Sequence, residues 1–169
     1  GAAIIAFSKP AIRILAAKNY YEAWKYIPVL SLAMVFTAFT SFAGTVYVVT
    51  KQSGMSFITA LAGALINIIL NFILIPSPLG VQGAAIATFV SYLAVFIIRT
   101  VNIKKYLPFN TYNRYITANT IIIIIETVFA VAELPFWIPV QAICNLLIAI
   151  LNFKFLIACI KKMLSFLKR

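Results

Sequence analysis

The fold is decided by residues 63–88, which read GALINIILNFILIPSPLGVQGAAIAT. Two apolar runs are joined here by the uncharged turn 76–80, and the first run contains Asn67 and Asn71. Because an unpaired carboxamide in hydrocarbon costs several kcal/mol, both side chains must face protein or water. The stretch therefore predicts a pair of membrane helices beside a polar space, a pattern that points to transport.

The composition of the whole chain also indicates a membrane protein. Hydrophobic residues make up 64% of the 169 positions, charged residues make up 10%, and the mean hydropathy is +1.06. Soluble domains carry about 25% charged residues. The net charge of +11 comes mostly from residues at the ends of apolar runs. Such residues meet lipid headgroups, so nucleic acid is not the expected partner.

About six segments qualify as membrane spans, by the rule that roughly 20 apolar residues cross the hydrocarbon core. They are residues 2–17, 26–50, 57–75, 81–98, 115–132 and 136–160. The first is short, and Pro10 is expected to kink it. Because the chain opens on Gly1 within an apolar run, we expect a fragment whose first helix is truncated and whose upstream part is missing.

Basic residues in the short loops predict how the chain is oriented in the membrane. They concentrate in residues 99–114 and 161–169, which we expect to be cytoplasmic. The turns 76–78 and 133–135 carry no basic residue and are expected outside. Residues 18–25 are placed outside by the same scheme although they contain two lysines.

Small and polar residues recur at helical spacing on one face of three predicted spans. In the third span they are Ser56, Thr59, Ala60, Gly63, Asn67 and Asn71, with Phe57, Leu61, Leu65, Ile68 and Phe72 opposite. Small residues let helix backbones approach closely in lipid, and tight packing alone accounts for these faces as well as a cavity does. The candidate packing residues are Gly44, Gly63, Gly80, Gly83 and Ala87.

Charged and amide side chains in the other spans are further candidates. Glu126 lies within an apolar run, where an ionised carboxylate is expensive. Inside the membrane it must be protonated, paired or in contact with water, and the alternative is that it is solvated at the membrane interface. Glu126 is our candidate for a coupling-ion site. Gln141 and Asn145 share a face of the sixth span. Lys9 and Arg13 lie one turn apart in the first span, where we expect them to contact either a pyrophosphate or lipid headgroups.

Several catalytic patterns are missing from the sequence. The chain has no histidine, no metal-ligand cluster, no GxSxG, no HxxxxD and no Walker-type phosphate loop. We therefore expect no enzyme activity, no metal and no cofactor in this piece of chain.

Residues 63–99 closely resemble the polysaccharide-biosynthesis flippases of the multidrug/oligosaccharidyl-lipid/polysaccharide exporter superfamily. The resemblance is carried by Asn67, Asn71, Ile75-Pro76, Gly80, Gly83-Ala84-Ala85, Ala87-Thr88 and Arg99. Residues 15–26 and 44–51 extend it, although Ala17-Lys18 stand where the family tends to have a glycine. From residue 115 onward the likeness is one of hydropathy alone.

The resemblance implies an all-α integral membrane protein of about fourteen helices arranged as two lobes and two extra helices. Residues 1–100 would form part of the C-terminal lobe, 101–114 a cytoplasmic loop, and 115–169 two additional helices with a basic cytoplasmic tail. Such flippases carry a polyprenyl-pyrophosphate-linked oligosaccharide across the bacterial cytoplasmic membrane by alternating access. That glycolipid, membrane lipids and the missing N-terminal lobe are the expected partners.

A cargo with an anionic pyrophosphate and a sugar head needs cations and amides around it. The candidate cavity residues are Lys9, Arg13, Asn67, Asn71, Gln141 and Asn145. Three alternatives stay open. A drug/cation antiporter of the same superfamily would need acids in its cavity, a polysaccharide polymerase should show a large outer loop with Arg and His, and a scaffold would pack without an aqueous cavity.

Overall fold

The computed structural model describes residues 1–15, 18–106, 114–132 and 136–153, together with 157 and 161. The helices are α1 (Ala2–Ala6), α2 (Ser8–Leu15), α3 (Ile27–Val49), α4 (Ser53–Leu74), α5 (Val81–Ile103), α6 (Arg114–Val131) and α7 (Trp137–Leu151). A 3₁₀ helix, Lys18–Lys25, lies between α2 and α3. Within the described residues no strand occurs, and the predicted all-helical class is confirmed there.

Three of these helices are long and apolar enough to cross a membrane. They are α3, α4 and α5, with 23, 22 and 23 residues. α6 and α7 are apolar but shorter in the part of the chain that is described. By length and composition the chain is therefore a membrane-embedded, multi-pass helical protein.

The first and last predicted spans differ from the described helices. Residues 2–15 of the first predicted span form two short helices, because Pro10 has no N–H to donate to the carbonyl of Ala6 and the chain leaves helical geometry at Phe7. The predicted span 136–160 begins as α7 and is helical to Leu151. Most of its remainder lies outside the described residues.

α3 and α5 are joined by a cluster of aromatic rings. The ring of Phe36 on α3 lies 5.6 Å from both Phe89 and Phe96 on α5, in edge-to-face geometry. Phe39 adds a contact at 5.5 Å to Phe96. Edge-to-face pairs at such distances are favourable. α1 and α6 pack on the same core through buried residues such as Ile5 and Ile123, so one hydrophobic cluster joins α1, α3, α5 and α6.

α4 approaches α5 through positions that lack a side chain. A Cβ on Gly63 would collide with Cγ2 of Val95, and a Cβ on Gly83 would lie 2.5 Å from the carbonyl oxygen of Leu74. Gly80, just before α5, has φ +49°, a left-handed conformation that favours glycine. The opposite face of α4 is exposed and apolar, as expected for a face toward lipid. α4 and α5 therefore form a close pair whose inner side faces α3.

Candidate functional site

α3, α4 and α5 enclose a polar cavity of about 500 Å³. Its lining consists of Thr37, Thr40, Ser41, Ala60, Gly63, Ala64, Asn67, Thr88, Ser91, Tyr92, Val95 and Arg99. All three helices contribute hydroxyl, amide or guanidinium groups, and no acidic residue belongs to the lining. The cavity therefore offers hydrogen bonds and positive charge to an occupant.

A chain of hydrogen bonds fixes the amides on the α4 side of the cavity. Asn71 Nδ2 donates to Asn67 Oδ1 at 2.9 Å, and Asn67 Nδ2 donates to Ser91 Oγ at 3.4 Å. Ser91 Oγ in turn donates to the carbonyl oxygen of Thr88 at 2.8 Å. Asn67 thus lines the cavity, whereas Asn71 lies outside the lining and is bonded to Asn67.

Arg99 is the charged group of the cavity, and its side chain is only 8% exposed. Nε donates to Thr59 Oγ1 at 2.9 Å, Nη1 to the carbonyl of Thr40 at 2.7 Å, and Nη2 to the carbonyl of Ser56 at 3.2 Å. One guanidinium thus joins α3, α4 and α5. Every acceptor is neutral, so no carboxylate balances the charge of Arg99 in the described part of the chain.

Gly44 gives Arg99 the space that it occupies. A Cβ at position 44 would lie 2.7 Å from Nη1 of Arg99, closer than real Cβ contacts occur. Any larger residue would push the guanidinium away from the carbonyl of Thr40. Gly44, predicted as a helix-packing residue, therefore lies against a charged side chain as well as in a helix contact.

A second polar centre lies between α6 and α7. Glu126 is fully buried, and its Oε1 accepts a hydrogen bond from Asn145 Nδ2 at 2.9 Å. The same Nδ2 donates to the carbonyl of Gln141 at 2.9 Å. Farther along the same two helices, Asn119 and Asn152 exchange two amide hydrogen bonds of 3.1 and 3.0 Å. Asn119, Asn145 and Asn152 thus bond within this seam, whereas Oε2 of Glu126 and Nε2 of Gln141 have no hydrogen-bond partner among the described residues.

The two predicted cations of the first span lie outside both centres. The ammonium of Lys9 lies between two indole rings, 3.9 Å from the centroid of Trp24 and 4.0 Å from that of Trp137. Its charge is therefore held by aromatic faces that link α2 to the start of α7. Arg13 is exposed on α2.

The structure thus separates residues that the sequence analysis placed in one site. Of the six predicted cavity residues, Asn67 lines the cavity and Asn71 is bonded to Asn67 outside the lining. Gln141 and Asn145 lie in the seam beside Glu126, the predicted coupling-ion residue, and Lys9 and Arg13 lie in neither place. Of the packing candidates, Gly83 and the fully buried Ala87 lie at helix contacts, and a Cβ on Gly80 would meet nothing within 4 Å.

Arg99 is the site residue that the sequence analysis missed, since its charge was assigned to a cytoplasmic loop. α5 continues to Ile103, so Arg99 lies in the helix. Ser91, Val95 and Arg99 are spaced by four residues, which puts them on one helix face. That spacing is the sequence feature from which Arg99 could have been placed on the same helix face as Ser91.

Searches against protein-family models, curated proteins and solved structures gave no match. The resemblance to flippases therefore stays a prediction from the sequence.

Proposed function

We propose that this chain is part of a flippase that moves a lipid-linked oligosaccharide across the bacterial cytoplasmic membrane by alternating access. The observation that carries the proposal is the buried guanidinium of Arg99 in a polar cavity without an acid.

The charge of Arg99 favours an anionic ligand. An unbalanced cation at membrane depth is costly, and charged residues there commonly mark substrate paths. Three of the five guanidinium N–H donors are used by Thr59, Thr40 and Ser56, which leaves two on Nη1 and Nη2. Two such donors suit the oxygens of a phosphate. A pyrophosphate headgroup would supply the missing negative charge.

The remaining lining suits a hydrophilic head better than an apolar drug. The hydroxyls of Thr37 and Thr40 donate to carbonyls of their own helix at 2.9 and 2.8 Å, so their lone pairs stay available as acceptors. Asn67 and Ser91 add amide and hydroxyl groups on the opposite wall. Because sugar hydroxyls donate and accept, this mixture matches an oligosaccharide.

The alternatives are less well supported by the same lining. A drug/cation antiporter needs an acid to hold its cargo, and the buried Glu126 lies in the α6–α7 seam instead of the cavity lining. A scaffold needs no cavity of this polarity. Rocking of one helical lobe against another would expose such a site to the two sides in turn.

Gene deletion with complementation tests the proposal. Deletion of the complete gene should abolish surface polysaccharide, and the wild-type gene should restore it. Arg99→Gln should not restore it, Arg99→Lys should restore it in part because it keeps the charge, and Lys105→Gln, which alters an exposed cation, should restore it fully.

Membrane levels of each variant are measured by immunoblot, so that misfolding is separated from lost transport. Intact polysaccharide with Arg99→Gln at wild-type level would overturn the assignment of the cavity to the cargo. Intact polysaccharide after deletion, together with raised drug sensitivity, would favour the antiporter.

A further inference from the structure

The transport pathway proposed above does not use Glu126, although this acid is the most deeply buried charged side chain of the described residues, at 0% exposure. Its Oε1 accepts one hydrogen bond from Asn145. Its Oε2 is buried and has no hydrogen-bond partner among the described residues. An acid so placed needs a charge partner, a proton or a ligand.

A second unsatisfied group lies on the same seam. Nε2 of Gln141 is buried without a hydrogen-bond partner in the described part of the chain, and the residue is 4% exposed. Asn145 Nδ2 bonds both the carbonyl of Gln141 and Oε1 of Glu126, so these residues meet at one point between α6 and α7. The seam therefore holds an unpaired donor and an unpaired carboxyl oxygen among the described residues.

The helices around Glu126 supply little charge to stabilise its ionised form. α6 packs against α1, α3 and α7. The titratable group on α7 is the thiol of Cys144, α3 has the phenol of Tyr47 and no charged residue, and α1 contributes the amino group of Gly1. That amino group would be a neutral amide in any chain with further residues before it. No Lys or Arg side chain of the described residues bonds the carboxyl group.

We propose that Glu126 is a proton-binding site, whose carboxyl group carries an exchangeable proton while α6 and α7 are closed and releases it when the seam admits water. A proton fits the surroundings better than a metal cation. Hard cations take several oxygen ligands. Asn145 presents its Nδ2 to Glu126, and the unpaired atom of Gln141 is its Nε2, so both amides offer N–H donors instead of oxygens. As a coupling site for transport, this inference rests on the proposed function, but proton binding itself does not.

Infrared spectroscopy of the full-length protein in lipid bilayers tests the inference without a transport assay. The difference between wild type and Glu126→Gln isolates the vibrations of this one carboxyl group. We expect a protonated carboxyl C=O band at neutral pH that the variant lacks. Glu22→Gln is the matched control, because Glu22 is an exposed partner of Lys25, and it should leave the band unchanged.

Exchange is tested in heavy water. If the proton is exchangeable, the carboxyl band shifts after transfer to D₂O, and a band that does not shift would show a sealed structural acid and overturn the proposal. A carboxylate band at neutral pH would overturn it as well. Should Glu126→Gln fail to fold, Glu126→Asp provides the second variant, since it should move the band and not remove it.

Two further measurements test whether the band belongs to the α6–α7 seam and whether the site binds a proton or a metal cation. Asn145→Leu removes the amide that bonds Oε1 of Glu126, so the carboxyl C=O band should shift in frequency if it belongs to this seam. Replacing N-methylglucamine chloride by sodium chloride should change nothing. If sodium converts the acid band to a carboxylate band, the site binds a cation and the proposal is wrong. None of these results depends on whether the protein transports a glycolipid.

Discussion

The two polar regions of this molecule hold their helices together in different ways. The α3–α5 region contains Gly44, Gly54, Gly63, Gly80 and Gly83, five of the six glycines of the chain. The α6–α7 region, residues 114–151, contains none. It is joined by amide and carboxyl hydrogen bonds, among them the reciprocal pair of Asn119 and Asn152. Both solutions are known in membranes, where small residues and polar side chains replace the hydrophobic effect between helices.

The difference explains why one region is open and the other closed. In α3–α5 the helices meet through aromatic rings and through close approach at glycines, so polar side chains such as Asn67 and Ser91 stay available along the cavity. In α6–α7 the amides bond one another and Glu126, and little is left for a large ligand. This difference is why we propose the cargo for the first region and a proton, the smallest of ligands, for the second.

The largest expected effect comes from Arg99→Met, which removes the side chain that ties three helices. Three hydrogen bonds from a charged donor are lost, in part offset by relief of the buried charge, so unfolding free energy should fall by about 3 kcal/mol. Denaturant unfolding in micelles measures it, with Lys105→Met as the exposed control. A variant as stable as wild type would show that Arg99 does not hold this region together.

A smaller loss is expected from Gly83→Ala. The new Cβ would lie 2.5 Å from the carbonyl oxygen of Leu74, and because that atom belongs to the backbone, α4 and α5 must separate. We expect a loss of about 2 kcal/mol. Gly54→Ala is the matched control, since a Cβ there meets nothing within 4 Å and alanine favours the helix. Equal stability of the two variants would argue against close backbone packing in this region.

The smallest effect is expected in the α6–α7 seam, from a double-mutant cycle of Asn119→Leu and Asn152→Leu. Hydrogen bonds between membrane helices couple by about 0.6 kcal/mol each on average, so the reciprocal pair should give about 1 kcal/mol. Unfolding free energies of the wild type, the two single variants and the double variant give the coupling energy. A value near zero would mean that apolar packing alone joins α6 and α7.

Much of the fold was predictable from the sequence because each membrane helix requires a long run of apolar residues. The predicted spans 26–50, 57–75 and 81–98 lie within a few residues of α3, α4 and α5, apart from the C-terminal end of α5 at Ile103. The break at Phe7 was harder to place, because its cause, the missing N–H of Pro10, lies three residues after the break.

The site was predictable in part. The helical spacing put Asn67 on a polar face, but spacing within one helix does not say which helix that face meets. Gln141 and Asn145 were therefore grouped with Asn67, although their neighbour is Glu126. Lys9 was assigned to the cavity, and its true partners, Trp24 and Trp137, could not be recognised because they come from other parts of the chain. Only tertiary packing makes these contacts.

Cysteine accessibility at Asn67 tests the central claim, that water fills the space between α3, α4 and α5. In full-length protein with Cys144 and Cys159 replaced by alanine, Asn67→Cys is compared with Ile68→Cys, whose side chain lies on the exposed apolar face of the same helix. Because thiolates form and react in water, a charged methanethiosulfonate should modify Asn67→Cys at least about tenfold faster. Equally slow modification at both positions would contradict the account.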